Sequence, residues 1–356
     1  MVTLRVGIAG LGQVAQIMHL PVLRSLRHLY EVVAICDVSA ELRGRVGDEY
    51  SIPRRYPTVY DLLEREKPDV LFVLTPDETH SEITVTALEA GVHVFVEKPM
   101  CLCIREANDI LAAQKRSGRQ VMVGYMRRYA SAFIEAKKLL DTYSCVNYAR
   151  ARGIIGENHM VIDQATAVVS ADLPSETLAE SRTRRRNLIL EAVGDLPDKY
   201  VRAYRELCGL GCHDLSALRE LLGPPRDVIA ARTWNDGRFI TALLDYGDFV
   251  ASYEGGTDAQ LRFDAHIEVQ SESGSFTLRY DTPYIRHLPT ELHTWETRYP
   301  SLRRSTLRPT LKDPFTEELE YLHRVICSGN EPKTSPDDFI ADLELFRAIV
   351  IAAAQE

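Results

Sequence analysis

The chain has 356 residues, 45% apolar and 26% charged, with a net charge of -9. That length predicts two domains with an ample core, and the acidic excess argues against a nucleic-acid or anionic-membrane partner. No apolar run is long enough to cross a bilayer, and the first strand begins too early to leave room for a secretory leader, so a cytoplasmic setting is expected.

Leu4 to Ile8 is an apolar, β-branched run that reads as a buried parallel strand. It turns through Gly10-Leu11-Gly12-Gln13-Val14-Ala15, the G-x-G-x-x-G/A spacing with Ala in the third slot. Gly10 permits the tight turn, Gly12 lets a pyrophosphate approach the backbone, and Ala15 lets the next helix pack on the strand. The start of that helix offers N–H groups and a positive dipole end to phosphate. A helix is predicted from Gly12 to about Leu29, kinked or restarted at Pro21. The second strand, Val32 to Cys36, ends in Asp37, where an acid meets the ribose hydroxyls of NAD. A carboxylate there repels a 2′-phosphate and favours NAD, while Arg43 keeps NADP open.

Alternation of strand and helix continues. Helices are predicted over Ala40–Tyr50 and Asp61–Glu66, and strands near Arg54–Tyr56 and over Val70–Leu74. The last of these runs into Thr75-Pro76-Asp77-Glu78-Thr79-His80, and the carboxyl end of a parallel strand is where ligands bind in such sheets. Thr75, Pro76 and His80 are therefore candidate cofactor contacts, with a helix-capping role for the Thr79–Ser81 turn as the alternative. A fifth strand, Val92–Val96, ends in Glu97-Lys98-Pro99. Charges directly after a buried strand need a partner or an open crevice, and Glu97 and Lys98 are candidate contacts to the nicotinamide side of the cofactor there. Lys98 in that crevice would stabilise an alkoxide as hydride leaves; the alternative is a structural ion pair. Helix Ile104–Ser117 and strand Gln120–Gly124 close the first domain, residues 1–124.

Tyr125 and the adjacent Arg127 and Arg128 lead into the second domain, residues 125–356; if the chain is extended there only one arginine lines a site, and Tyr125 and Arg127 are candidate substrate contacts. Helix Ser131–Leu140 and strand Val146–Ile155 follow. Residues 157–207 carry no strand signal; Asp163 and Gln164 are candidate substrate contacts, and the segment reads as a lid or partner surface. The basic run Arg182–Arg186 reads as a solvated helix face. His213 follows Cys208-Gly209-Leu210-Gly211-Cys212 and is predicted to open a helix to Leu222, where the dipole keeps an imidazole neutral and fit for general-base work. Its neighbour Asp214 is a candidate substrate contact. Cys208, Cys212 and His213 lack a second pair at zinc-like spacing, so no metal is expected, and seven cysteines make no disulfide framework. From Asp227 the period becomes two, over Asp227–Trp234, Phe239–Tyr246, Phe249–Gly255, Ala265–Glu272, Ser275–Tyr280 and Leu288–Thr297, with turns at Gly247 and Gly274: an antiparallel sheet with one covered face. Closing helices 314–327 and 336–354 are expected to return toward the first domain.

Gly10-Leu11-Gly12, Thr75-Pro76 with His80, Ala90-Gly91-Val92-His93-Val94, Glu97-Lys98-Pro99, the arginine pair after Gly124 and Gly211-Cys212-His213 together resemble the Gfo/Idh/MocA oxidoreductases. The resemblance implies an α/β fold: a Rossmann doubly wound parallel sheet, then an α+β domain whose open-faced, mainly antiparallel sheet builds a homo-oligomer, a dimer or tetramer. It implies NAD(P)-dependent hydride transfer at a carbinol or ketone carbon of a sugar or cyclitol, with Lys98 and His213 as the catalytic pair. Gly209 and Ser216 stand where the family often carries acids, a departure that leaves open an NAD-assisted elimination or glycoside cleavage, or a non-catalytic NAD-sensing protein.

Overall fold

The computed structural model describes residues 2–355. The chain forms two compact units, neither contiguous in sequence. One takes the residues through Gly124 with Thr166–Ala192 and Glu318–Ile340; the other takes Tyr125–Ala165, Val193–Glu317 and the residues from Ala341 on.

The first unit is built on a parallel sheet of β1 (Leu4–Ala9), β2 (Tyr30–Cys36), β3 (Arg55–Tyr56), β4 (Val70–Val73), β5 (His93–Glu97) and β6 (Val121–Gly124), ordered β3-β2-β1-β4-β5-β6. Val6, Ile8, Val70, Leu71, Phe72, Val73, Phe95 and Val96 are fully buried. Each such side chain contributes about 1.5–3 kcal/mol of burial, which is why the central strands read as continuous apolar runs. The strand order reverses between β1 and β4, and the crevice at their carboxyl ends is the ligand position of a doubly wound sheet.

The first helix departs from expectation. Residues 13–25 form one helical run in which Ala15–His19 is a π turn and α1 (Leu20–Ser25) follows, so Pro21 lies inside the helix directly after the widened turn. Helices α2 (Ala40–Glu49), α3 (Val59–Glu66), α4 (His80–Glu89) and α5 (Ile104–Ser117) cover the sheet.

The second unit opens with α6 (Ser131–Leu140) and β7 (Val146–Gly156), then α7 (His159–Ala165). After α8 (Ser175–Val193) comes an unbroken helical rod. It runs through α9 (Asp198–Glu206), a π turn at Leu207–Gly211, and α10 (Cys212–Leu222). Strands β8 (Asp227–Trp234), β9 (Phe239–Asp245), β10 (Val250–Asp258), β11 (Phe263–Ser271), β12 (Ser275–Tyr280), β13 (Glu291–Arg298) and β14 (Ser301–Leu307) join β7 in an eight-stranded sheet, order β14-β13-β12-β11-β7-β10-β9-β8. All its pairings are antiparallel except β7 with β10. Ala149, Ala151, Ala251, Tyr253, Ile267, Val269, Phe276 and Leu278 alternate onto a buried face, over which α10 packs against β7 and β11. The other face is polar at its centre, where Arg150 and Arg152 pair with Glu254 and Asp264. Strand β14 was not predicted: its Ser-Leu-Arg-Arg-Ser-Thr-Leu run is an exposed edge, written in the charged residues that edges carry rather than in alternation. Helices α11 (Pro314–Ser328) and α12 (Pro336–Ala354) end the fold.

Candidate functional site

In the first unit the glycine turn is fixed against the end of β4. Gly10 has φ +92°, and a Cβ there would lie 2.6 Å from the Leu74 backbone. Gly12 has nothing within 4 Å of where a Cβ would be, an open approach for a ligand. The opening turn of the helix leaves its first N–H groups to whatever occupies that approach. Gln13 is exposed and Val14 half-buried beside it. Asp37 is held in place from both sides: its Oδ2 accepts the Leu11 N–H at 2.8 Å and its Oδ1 the Ser39 N–H at 2.8 Å. Each carboxylate oxygen keeps a further lone pair for a ribose hydroxyl. The Arg43 guanidinium donates to the Asp37 and Val38 carbonyls at 2.6 and 3.1 Å, which keeps a cation at the end of β2. A cradle that only glycine fits, open approach at Gly12 and an anchored carboxylate together suit a dinucleotide.

These two glycines differ in what they protect. Gly10→Ala places a Cβ into backbone at a positive φ and is expected to lower the melting temperature, a strain of about 1–3 kcal/mol. Gly12→Ala is expected to melt like the parent while losing NADH affinity, since only the ligand occupies that space. A fluorescence titration with NADH beside a thermal melt checks both.

At the ends of β4 and β5 the chain brings Thr75, His80, Glu97 and Lys98 into one region of this unit. Thr79 Oγ1 donates to the Pro76 carbonyl at 2.7 Å and lies 2.8 Å from Thr75 Oγ1. His80 is buried, and its ring nitrogens lie 2.7 Å from the Pro99 and Thr75 carbonyl oxygens. The ring's polar atoms are thus engaged by the chain rather than turned to a nicotinamide. Glu97 is buried; its Oε1 accepts from His19 Nε2 at 2.7 Å and its Oε2 from the Lys98 N–H at 3.1 Å. Burial pushes the Glu97 carboxyl up, but the His19 hydrogen bond and the charges of His19, Lys98 and His80 outweigh it and hold it below its ordinary value. His19, given no role from sequence, is the support of Glu97. Nothing short of the fold pairs two residues so far apart in the chain.

Residues 166–192 lie with this unit. Gln16 grips Val169, donating to its carbonyl and accepting its N–H, both at 2.9 Å, and it also donates to the Leu11 carbonyl at 2.8 Å. Arg185 pairs with Asp77 at 2.6 Å and Glu78 at 2.7 Å, and Arg184 with Glu82 at 2.8 Å. Arg182, Arg184 and Arg186 are exposed, as a solvated face requires, while the half-buried Arg185 docks α8 on the turn after β4.

The second unit holds His213, Arg127 and Asp214. Because the helical rod is continuous, His213 is not in a first turn, and the dipole argument for a neutral ring does not apply. Met126–Tyr129 is a 3₁₀ turn rather than extended chain, so both arginines turn inward. Arg128 pairs with Glu220 at 2.6 Å. Arg127 pairs with Asp214 and lies over the Tyr280 ring at 4.8 Å. Asp214 is wholly buried, and burial raises its carboxyl to about 6 in spite of Arg127. A Cβ on Gly153 would come within 2.2 Å of Asp214 Oδ2, so β7 carries glycine to admit the carboxylate. Asp214 thus supports the interior rather than facing a ligand. Tyr125 is likewise inside, its hydroxyl donating to Asp342 at 2.9 Å. Asp163 and Gln164 are exposed on α7, Gln164 bonding the Met160 carbonyl at 2.7 Å.

Residues 4–125 match the family model described as oxidoreductase family, NAD-binding Rossmann fold. Inositol 2-dehydrogenase of Salmonella typhimurium is 32% identical over 142 residues, 39% of this chain and 42% of that one. Inositol 2-dehydrogenase 2 of Saccharopolyspora erythraea is 25% identical over 333 residues, 89% of this chain and 84% of that one. The strongest alignments thus span only about two-fifths of the curated relatives' length. Among solved structures, aldose-aldose oxidoreductase from Caulobacter crescentus superposes with TM-score 0.76 at 22% identity, covering 99% of this chain and 98% of that one. Myo-inositol 2-dehydrogenase from Lactobacillus plantarum gives TM-score 0.73 at 21% identity, with 99% and 97% covered. With its glycine turn and its anchored Asp37, the segment 4–125 is thus similar to the NAD-binding Rossmann fold of that oxidoreductase family.

Proposed function

We propose that this protein is an NAD(P)-dependent oxidoreductase acting on a CH–OH carbon of a sugar, cyclitol or related polyol. The observation that carries the reading is Lys98: a cation at the carboxyl end of β5, its backbone N–H bonded to the buried Glu97 carboxylate. The inositol dehydrogenases among the relatives favour a cyclitol or sugar substrate.

A bound nicotinamide supplies or accepts the hydride. Gly10, Gly12, Gln13 and Val14 hold the pyrophosphate, and Asp37 takes the ribose hydroxyls, which favours NAD; Arg43 beside it accommodates NADP. Lys98 donates to the substrate oxygen and steadies its negative charge as the C–H bond breaks. His213 removes the hydroxyl proton as general base. Run in reverse, the same groups reduce a ketone. A homo-oligomer joined through the larger sheet belongs to this reading, supported by exposed Ile229, Trp234, Leu243 and Leu302 on that sheet. A cytoplasmic setting is supported by seven cysteines outside any disulfide.

Incubation with NAD⁺ or NADP⁺ and a panel of inositols and aldoses, followed at the NADH absorbance, tests the reading. Reduction of the cofactor by a member of the panel is the expected result. Altered sugar with no net NADH would transfer the protein to redox-assisted elimination, and tight NAD binding with no chemistry on any substrate would mark a sensor.

A further inference from the structure

Lys98 is bracketed by two buried histidines that come from different helices. Upstream, His19 bonds Glu97, whose other oxygen takes the Lys98 N–H. Downstream, His80 Nδ1 lies 2.7 Å from the carbonyl oxygen of Pro99, the next residue. Its Nε2 lies 2.7 Å from the Thr75 carbonyl. Both partners are carbonyl oxygens, which only accept, so the ring makes both bonds only when each nitrogen carries a proton. The ring is 2% exposed, leaving water no part in the bonding. Charged groups act on it from both sides. Asp77 lies on the preceding turn and Glu97 at the strand end. Asp77 and Glu78 are themselves paired with Arg185, Glu97 with His19, and Lys98 follows Glu97.

We propose that His80 is a positioning residue for Lys98: a doubly protonated imidazole that ties the Pro99 carbonyl to the Thr75 carbonyl and so fixes the direction in which the Lys98 ammonium leaves β5. The proposal rests on the reading of Lys98 as the residue that steadies the substrate oxygen. It assigns His80 no contact with substrate. The atoms it fixes belong to two strand ends, so a small shift at Pro99 is passed directly to the adjacent Lys98.

His80→Phe keeps a ring of similar size and removes both bonds. It is expected to lower kcat by about 10- to 100-fold, the cost of a misplaced catalytic group, while KM for NAD⁺ and the NADH dissociation constant stay near the parent's. His80→Gln restores one NH₂ group with two donors and is expected to recover most of that loss, which a purely space-filling role would not produce. Nitrogen-detected NMR of the parent protein at neutral pH should show protons on both His80 nitrogens, and this measurement stands even if His80→Phe fails to fold. A single ring proton overturns the proposal, as does folded His80→Phe with parental kcat. Lys98→Met run in parallel separates the two claims: if it too turns over normally, the reading of Lys98 has failed; if it is inactive while His80→Phe is not, only the role of His80 has.

Discussion

Lys98→Met is expected to fold, to bind NADH as the parent does, and to turn over about 10²–10³-fold more slowly, the usual effect of deleting one donor to a developing oxyanion. The side chain is half-buried and its backbone bond to Glu97 does not involve the ammonium, so the substitution spares the strand end. The loss should fall on kcat rather than on cofactor affinity, because the groups that hold the dinucleotide lie elsewhere, at Gly10, Gly12 and Asp37. Steady-state kinetics with the best polyol, next to an NADH titration, reads both quantities. Parental turnover would remove Lys98 from the chemistry.

The second large effect is on stability. Arg127 and Asp214 are both buried, with side-chain exposures of 4% and 0%. Taking one charge from such a pair strands the other in the interior, at about 3–5 kcal/mol. Arg127→Met also gives up the contact with the Tyr280 ring. The variant is therefore expected to lose several kcal/mol at pH 8 by denaturant unfolding. The pH dependence follows from Asp214, whose carboxyl burial raises to about 6 in the parent. Over the interval from the ordinary aspartate range up to about pH 6, the folded protein holds a proton that the unfolded chain has released. Stability from this group therefore falls as pH rises through that interval and is flat above it. Arg127 is the one group that holds this carboxyl down. Its removal extends the interval to higher pH, and the gap between variant and parent should narrow on acidification. A gap that is small at pH 8, or that does not change with pH, contradicts this account. Asp214→Leu added to Arg127→Met removes the stranded charge and should recover much of the loss.

The first unit was legible in the sequence because its signals are local. Glycines at fixed spacing, β-branched runs and an acid at the end of the second strand each act over a few residues, and they led to β1, β2, the cradle at Gly10 and the anchored Asp37. Lys98 stands out for the same reason: a charge directly behind a buried strand has few places to go. The alternating strands of the second unit were readable up to the edge. There β14 is written in arginines and serines, because an edge strand that must not pair again hides its period.

What the sequence could not supply were partnerships over long separations. His19 with Glu97, Gln16 with Val169, Arg185 with Asp77 and Glu78, and Arg127 with Asp214 join residues from distant parts of the chain. None has a spacing to read. The helical rod from Asp198 to Leu222 belongs here too: Gly209 and Gly211 predict a break, yet the chain passes through them in a π turn. A Cβ at Gly211 would lie 2.5 Å from the Tyr253 hydroxyl, so that glycine admits a tyrosine from β10 rather than ending a helix. Composition and spacing thus determined the doubly wound sheet and the residues at its open edge, since those depend on backbone freedom and strand period. Only the folded chain decided which buried charges face one another, because the energy of a buried polar group depends on what packs against it and not on its neighbours in sequence.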